Sequence, residues 1–191
     1  MIVARPVVIA VAIALAGAPA VADPRPVTLR WEGRDVDGDG AGDFFNPTGG
    51  QVRTQDHYGY GRYGAPRDGG TRDHKGVDYI ARAGQPVRAP ISGYVTKIGL
   101  AYAGDTELKF VEIRNPALRY EARVFYVDPG VVEGQSVHLG DVIGTMHTLQ
   151  HKYPEGMTDH VHLELAGPDG AKFDATRVIV AHVVVLPRER A

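Results

Sequence analysis

Two short motifs, far apart in the chain, carry side chains that could do chemistry together. Residues 74–78 read HKGVD and place His74 and Asp78 four positions apart, while residues 160–162 read HVH and supply two more imidazoles. Two imidazoles and a carboxylate are a typical ligand set for a catalytic zinc ion, which usually keeps its fourth position for water. Zinc sites built from thiolates are excluded, because the chain has no cysteine.

The sequence around both motifs indicates β-strands. The segment GVDYI at residues 76–80 favours a turn that runs into a strand rather than a helix. In HVHLEL, residues 160–165, polar and apolar residues alternate. This alternation predicts that His160, His162 and Glu164 share one face of a strand while the apolar residues between them pack inward. Both histidines should therefore face the same space.

The order of the motifs resembles that of the lysostaphin-type, or LytM-type, zinc endopeptidases, which cut peptide bonds in bacterial peptidoglycan. The resemblance covers about residues 52–165. Between HKGVD and HVHLE the chain carries AGQPVRAP at 83–90, SGYV at 92–95, GQSV at 134–137 and GDVIG at 140–144. By this resemblance, His74, Asp78 and His162 bind one zinc ion, and His160 is a catalytic group that does not bind the metal.

One position departs from the family's pattern. The family usually has a further catalytic histidine on the strand before the GQSV turn, whereas the corresponding stretch, VFYVDP at residues 124–129, places Tyr126 there. A phenol, with its ordinary pKa of about 10, is not a general base at neutral pH, but it can donate a hydrogen bond to an oxyanion. We therefore assign His160 and Tyr126 as the catalytic residues, with Tyr126 in a binding role.

The same tyrosine indicates a narrower resemblance to the leukocyte cell-derived chemotaxin branch of this fold, which binds zinc and is generally regarded as lacking peptidase activity. The disulfides of that branch are absent, because the chain has no cysteine. The matching residues are Val52-Arg53-Thr54, Asp56, Gly59, Gly61, Tyr63, Arg67, Phe125-Tyr126, Pro129, Leu149-Gln150, Tyr153-Pro154 and the HVH motif.

Two functions therefore stay open. In the first, the protein is a zinc metalloendopeptidase, and an activated water attacks the peptide cross-links of peptidoglycan. In the second, it is a zinc-binding module that holds a ligand or partner without cleaving it. We favour the enzyme, because only the third histidine of the family's pattern is missing.

Three further histidines, His138, His147 and His151, lie between the GQSV turn and the HVH strand. The segment from residue 146 to residue 159 has the composition of a long loop that could overhang the site. We interpret all three histidines as surface residues. The alternative is that His147 or His151 contributes to the site.

A run rich in aspartate and glycine, DVDGDGAGD, occupies residues 35–43. Its carboxylates stand at positions 1, 3, 5 and 9 of a calcium loop, with glycine at position 6. Position 12 is Asn46 rather than the bidentate glutamate of an EF-hand, and flanking helices are not indicated. We favour a plain turn, and a calcium site is the alternative. Its ligands would be Asp35, Asp37, Asp39 and Asp43.

The first 22 residues have the layout of a secretory signal peptide. Arg5 precedes an apolar stretch over residues 7–16, and AVA at residues 20–22 precedes Asp23. The apolar stretch is shorter than the roughly 20 residues of a membrane-spanning helix. We therefore expect an exported protein, periplasmic or secreted, with no membrane span after signal cleavage.

Length and composition predict one all-β domain. The chain has 191 residues, 24 of them glycine and 13 proline, which suits short strands joined by tight turns. We expect a mainly antiparallel small β-barrel or sandwich, which is also the fold that the resemblance to the LytM-type domain implies. Strands are expected at 77–80, 85–89, 94–98, 110–114, 123–126, 142–144 and 161–166.

The sequence also predicts the class of partner and the domain organisation. A formal charge of −2 offers no basic face for nucleic acid. We expect a monomer, and the family resemblance implies peptidoglycan or a peptide ligand as its partner. Behind the signal peptide we place an N-terminal segment (23–50), the zinc peptidase-like domain (51–177) and a β-prone tail (178–191). The tail should pack on the sheet, with His182 in a structural role.

Overall fold

The computed structural model describes residues 27–187 of the chain. These residues form fourteen β-strands and two short 3-10 helices, and the strands pair antiparallel. The predicted all-β class is therefore confirmed, and the sheets form a sandwich-like arrangement rather than a closed barrel. The predicted signal peptide lies outside the described residues. Within residues 27–187, none of the helices has the length and apolar character that a membrane span requires.

The elements in chain order are β1 (Val27–Gly33), β2 (Pro66–Arg67), a 3-10 helix (Asp68–Gly70), β3 (Arg72–Asp73), β4 (Val77–Ile80), β5 (Pro86–Arg88), β6 (Gly93–Leu100), β7 (Lys109–Asn115), β8 (Tyr120–Phe125), β9 (Val127–Pro129), β10 (Ser136–Val137), β11 (Val142–Met146), β12 (His160–Ala166), β13 (Lys172–Phe173), a second 3-10 helix (Ala175–Arg177) and β14 (Ile179–Val185).

The main sheet has seven strands and is organised around β12. Its order is β10-β6-β7-β8-β12-β13, and β4 also pairs with β12. In these ladders His162 lies opposite Asp78 of β4 and opposite Phe125 of β8. The histidine strand thus lies between two partners, one of which carries the aspartate.

The core joins the main sheet to a three-stranded sheet of order β5-β11-β9. Val161, Leu163 and Leu165 of β12 have no exposed surface, as the alternation predicted. Each such side chain contributes about 1.5–3 kcal/mol by leaving water. Val87 and Ile143 belong to the same cluster from the smaller sheet. This core holds β12 rigidly, and its polar face is left to carry the histidines.

The tail departs from the prediction. Residues 179–185 form β14, which pairs over its whole length with β1, a strand that the sequence analysis did not predict. Only Ile179 at its start enters the core, and His182 is half exposed, 3.3 Å from Glu32 of β1. The backbone of this β-branched run therefore makes its hydrogen bonds with β1, and the run does not pack on the main sheet as predicted. Trp31 anchors this ribbon by donating to the carbonyl of Gly49.

Candidate functional site

The three residues predicted to bind zinc come together at one end of β4 and β12. Nδ1 of His162 lies 2.8 Å from Oδ1 of Asp78. Nε2 of His74 lies 2.9 Å from Nδ1 of His162 and 3.1 Å from Oδ1 of Asp78. The close approach depends on Gly76, because a Cβ there would meet the His162 ring at 2.6 Å. Three ligand atoms thus converge on one point.

The donor atoms of this cluster fit a bound metal ion. Nδ1 of His74 donates to the carbonyl of Arg62 at 2.8 Å, so its Nε2 is the nitrogen that faces Oδ1 of Asp78. A metal ion would be shared by this nitrogen, the carboxylate oxygen and Nδ1 of His162. A backbone carbonyl behind a ligating histidine is also the usual support of a metal-binding imidazole.

Asp78 is held from its other side by arginine. Arg53 reaches Oδ2 of Asp78 with Nη2 at 2.9 Å and with Nε at 3.2 Å. Arg67 approaches the same oxygen at 3.6 Å. Burial alone would raise the pKa of Asp78, but the surrounding imidazoles outweigh burial and hold the pKa well below its usual range. One carboxylate oxygen therefore faces the cluster and the other faces the arginines.

His160 lies beside the cluster without belonging to it. Its Nδ1 donates to the carbonyl of Thr158 at 2.6 Å, which leaves Nε2 as the basic nitrogen, 3.6 Å from Oδ1 of Asp78. The ring is buried, with 3% of its surface exposed, and burial lowers its pKa. It is therefore neutral near pH 7, in the tautomer that a general base requires.

Tyr126 stands next to His160, with the two rings edge to face at 5.4 Å between centroids. Its backbone has φ of 66°, in the left-handed region, so the predicted strand ends at Phe125 and resumes as β9. A non-glycine residue there costs about 1–3 kcal/mol, which the surrounding structure must offset. Burial raises the pKa of the phenol above its ordinary value, so it can act only as a neutral hydrogen-bonding group near pH 7.

A chain of three phenols runs outward from Tyr126. Its hydroxyl lies 2.6 Å from that of Tyr102, which in turn accepts from the hydroxyl of Tyr153 at 2.8 Å. Because Tyr153 donates to Tyr102, the proton of Tyr102 is available to Tyr126, and the proton of Tyr126 can then point into the site. Tyr153 was among the residues matching the chemotaxin branch, whereas Tyr102 carried no signal in the sequence.

These residues line a cavity of about 710 Å³. This volume is in the range of sites that bind small ligands or peptide segments. Arg67 and Arg72 lie along the lining, and Tyr58 and Met157 add apolar surface. His57, which the sequence analysis did not single out, belongs to the lining and pairs with Glu155 at 2.8 Å.

The three remaining candidate histidines lie elsewhere. Nδ1 of His147 is 2.9 Å from Asp128, His138 is largely exposed beside Asp141, and His151 is exposed. The described residues that line the cavity include none of the three. The interpretation of these histidines as surface residues agrees with this geometry.

The Asp-rich loop is a turn whose carboxylates accept hydrogen bonds from its own backbone amides. Carboxylate oxygens of Asp35, Asp37 and Asp43 lie near one another, but Asp39 is not part of the group. Asp35 accepts from the amides of residues 38 and 40 at 2.6 and 2.9 Å, and these bonds lower its pKa. Asn46, the residue at position 12, caps its own turn by accepting from the amides of residues 48 and 49. Calcium binding gains no support.

Comparison with known proteins gives the family. Residues 72–175 match the model of Peptidase family M23. Leukocyte cell-derived chemotaxin-2 of Mus musculus is 34% identical over 114 residues, which cover 60% of this chain and 72% of that protein. Myeloid protein 1 of Gallus gallus is 34% identical over 121 residues, covering 62% of this chain but only 36% of that protein.

A solved structure shows the same fold. Csd3 of Helicobacter pylori is superposed with a TM-score of 0.50 at 21% identity, over 76% of this chain and 35% of that chain. The resemblance to the LytM-type domain and its chemotaxin branch, inferred from the motifs, is confirmed by these matches. The chain therefore belongs to the M23 peptidase family, and within it to the chemotaxin-like branch.

Proposed function

We propose that this protein is an exported zinc metalloendopeptidase that hydrolyses the peptide cross-links of peptidoglycan. The observation that carries the proposal is the position of His160, a buried imidazole whose Nε2 lies 3.6 Å from Oδ1 of Asp78 but which is not one of the three candidate ligands. Membership of the M23 family supports the reaction class, and the signal peptide predicted from the sequence of residues 1–22 supports export.

Each residue then has a defined task. His74, Asp78 and His162 would hold the zinc ion, which would act as a Lewis acid and lower the pKa of a bound water towards neutrality. His160 accepts a proton at Nε2 and returns it to the departing amine, while its Nδ1–H stays bonded to the carbonyl of Thr158. Tyr126 keeps its proton and donates a hydrogen bond from its hydroxyl to the oxygen of the attacked carbonyl.

The domain division belongs to the same proposal. Residues 51–177 carry every member of the zinc site, and residues 23–50 and 178–191 flank this unit. The peptide substrate would lie in the cavity, with Tyr58 and Met157 against its apolar portions. Peptidoglycan as the natural substrate is drawn from the family resemblance, since the lining itself indicates only a peptide of mixed polarity.

The second candidate function is a zinc-binding module that holds a peptide or protein partner intact. The observation that favours it is Tyr126, whose phenol replaces the family's histidine and is tied to Tyr102 at 2.6 Å. The similarity to chemotaxin-2 points the same way. In this reading the metal stabilises the fold and the cavity binds without catalysis.

One assay separates the two functions. The purified zinc-loaded protein is incubated with purified peptidoglycan, and new amino termini and zinc content are measured, beside the variants His160→Ala and His147→Ala. The enzyme releases amino termini, His160→Ala binds zinc but releases none, and His147→Ala behaves as the parent because its ring lies outside the cavity. If the parent binds about one zinc and releases nothing, the module is the correct account for this substrate.

A further inference from the structure

Arg53 is bound to Asp78 through the backbone as well as through its side chain. Its amide donates to the carbonyl of Asp78 at 2.7 Å, and Gly61 bridges the two by accepting from the amide of Asp78 and donating to the carbonyl of Arg53. A Cβ at Gly61 would lie 2.6 Å from that of Arg53. The guanidinium is therefore placed from two directions, and its fork meets Oδ2 of Asp78 in a fixed geometry.

Asp56 lies behind this arginine and is shared with a second segment of the chain. Its Oδ2 pairs with Nη1 of Arg53 and also accepts from the amide of Thr158 at 3.0 Å. Its Oδ1 accepts from the amide of Tyr58 at 2.8 Å. Burial alone would raise the pKa of Asp56, but the hydrogen bonds from Thr158, Arg53 and Tyr58 lower it. One largely buried carboxylate thus joins the loop before the site to the segment that leads into β12.

That second segment orients His160. The carbonyl of Thr158 accepts from Nδ1 of His160 at 2.6 Å, and the amide of the same residue donates to Asp56. Fixing Thr158 therefore fixes the tautomer and the direction of the imidazole. From Asp56, one path reaches the metal-binding carboxylate through Arg53, and the other reaches the general base through Thr158.

We propose that Asp56 is a positioning residue that fixes the positions of Asp78 and His160 relative to each other. It acts on Asp78 through Arg53 and on His160 through Thr158. The inference rests on the proposed function, because it assumes that the cluster holds zinc. Arg53 and Asp56 both precede residues 72–175, which match the family model. Both residues are among those that match the chemotaxin branch, so this support lies outside the zinc ligand set itself.

Simple charge neutralisation does not account for the arrangement. Arg53 already has Asp78 as a buried partner, and a buried ion pair adds little net stability over apolar packing. The neutralising role also gives no reason for Asp56 to accept from the amide of Thr158. Groups that support metal ligands from behind typically affect metal affinity by about 10- to 100-fold. The proposal therefore predicts effects on zinc and on His160 rather than on stability alone.

The test uses the zinc-loaded protein, three variants and one matched control. In the parent protein, Arg53 and Thr158 both donate to one oxygen of Asp56. Asp56→Asn keeps only one acceptor oxygen, and its new amide nitrogen, itself a donor, then faces a donor of the protein. Arg53→Lys keeps the charge but loses the fork. Asp56→Glu keeps the carboxylate. Asp105→Asn is the control, because Asp105 also accepts backbone amides and pairs with a cation, Lys152, but contacts neither Asp78 nor Thr158.

Two quantities are measured without substrate: the zinc dissociation constant, by competition with a chromophoric chelator, and the ¹⁵N shifts of the His160 ring, which report its tautomer. Asp56→Asn weakens zinc about tenfold and moves the His160 shifts away from those of the Nδ1–H form. Arg53→Lys weakens zinc similarly but leaves the His160 shifts in place. Asp56→Glu recovers most of the zinc affinity and most of the parent's His160 shifts, and Asp105→Asn changes neither quantity.

The outcome that overturns the proposal is equally specific. Zinc affinity within about twofold of the parent in both Asp56→Asn and Arg53→Lys, or unmoved His160 shifts in Asp56→Asn, removes the positioning role. Circular dichroism shows whether each variant folds. If Asp56→Asn does not fold, Arg53→Lys, which keeps the buried charge, is the variant that tests the proposal. Because neither measurement involves cleavage, an inactive protein contradicts the proposed function without affecting this result.

Discussion

His162 and Asp78 face each other across the ladder between β12 and β4, with Nδ1 of the histidine 2.8 Å from Oδ1 of the aspartate. These two candidate metal ligands are thus neighbours by strand register, and the third candidate, His74, joins them from the segment just before β4. The cluster is built by the sheet itself. Its formation is therefore coupled to the folding of β12.

Removal of the charge of Asp78 should destabilise the fold even without metal. Asp78→Asn leaves Arg53 buried opposite a neutral amide, and removing one partner of a buried pair typically costs about 3–5 kcal/mol. Urea denaturation in the presence of a chelator measures this loss. Asp73→Asn, an exposed aspartate that pairs with Lys75, should change stability by less than about 0.5 kcal/mol. Equal effects in the two variants would contradict the prediction.

Zinc should stabilise the folded protein through the three ligands alone. A ligand that binds only the native state, at about 100 times its dissociation constant, raises the free energy of unfolding by about 2.7 kcal/mol. Calorimetry of the parent with and without zinc measures the increment, and His162→Ala should abolish it. His147→Ala should retain it, because its partner is Asp128 rather than the cluster. A full increment in His162→Ala would place the metal elsewhere.

Removal of the Tyr126 hydroxyl should slow cleavage without weakening metal binding. Tyr126→Phe deletes the donor to the developing oxyanion and keeps the ring against His160, so kcat should fall by about 10²-fold. KM and the zinc dissociation constant should stay close to those of the parent. Tyr94→Phe, which removes a hydroxyl from a half-exposed residue on β6, is the matched control. An unchanged kcat in Tyr126→Phe shows that the phenol has no part in catalysis.

Acid should destabilise the sheet through Glu112. This carboxylate accepts from Oγ1 of Thr96 at 2.7 Å and from Nε of Arg123 at 2.8 Å. Burial alone would raise the pKa of Glu112, but these bonds outweigh burial and lower it below its ordinary 4.5. Because the folded pKa is the lower one, the stabilisation is complete above pH 4.5 and is lost as pH falls through the folded value.

Urea unfolding of the parent and of Glu112→Gln at pH values from 7 down to 3 tests this prediction. The variant should be less stable at pH 7, and the gap between the two proteins should narrow towards pH 3. Glu107→Gln, at an exposed position, should follow the parent throughout. A gap that stays constant with pH would assign the effect of Glu112 to packing rather than to charge.

The shared strand face of His160 and His162 was predictable from the sequence because strand alternation is a local property. The pattern HVHLEL places His160 and His162 on one face before any partner strand is known, and the structure agrees. The pairing of β12 with β4, which brings Asp78 opposite His162, depends on contacts distant in sequence. The proximity of Asp78 and His162 was predicted from the order of the motifs and the family they resemble. Strand alternation alone does not predict it.

The supports of the site were not predictable in the same way. Arg53 belonged to the residues that match the chemotaxin branch, but its contact with Asp78 depends on the path of the loop around Gly61. Tyr102 lies just beyond β6, in a stretch with no strand periodicity. Loops and turns place side chains through irregular backbone angles, which local patterns in the sequence do not encode. The left-handed angle of Tyr126 is of the same kind.

The ribbon of β1 and β14 also decides how the molecule would respond to pulling. Val27 at the start of β1 is paired with Val185 at the end of β14, so both outer ends of the ribbon lie at the same point. A tension applied at those two ends would peel the ladder open one rung at a time, instead of shearing all rungs at once. The ribbon would therefore yield first, at low force, and the strands that carry the candidate metal ligands would bear no load until it had opened as far as Gly33 and Ile179.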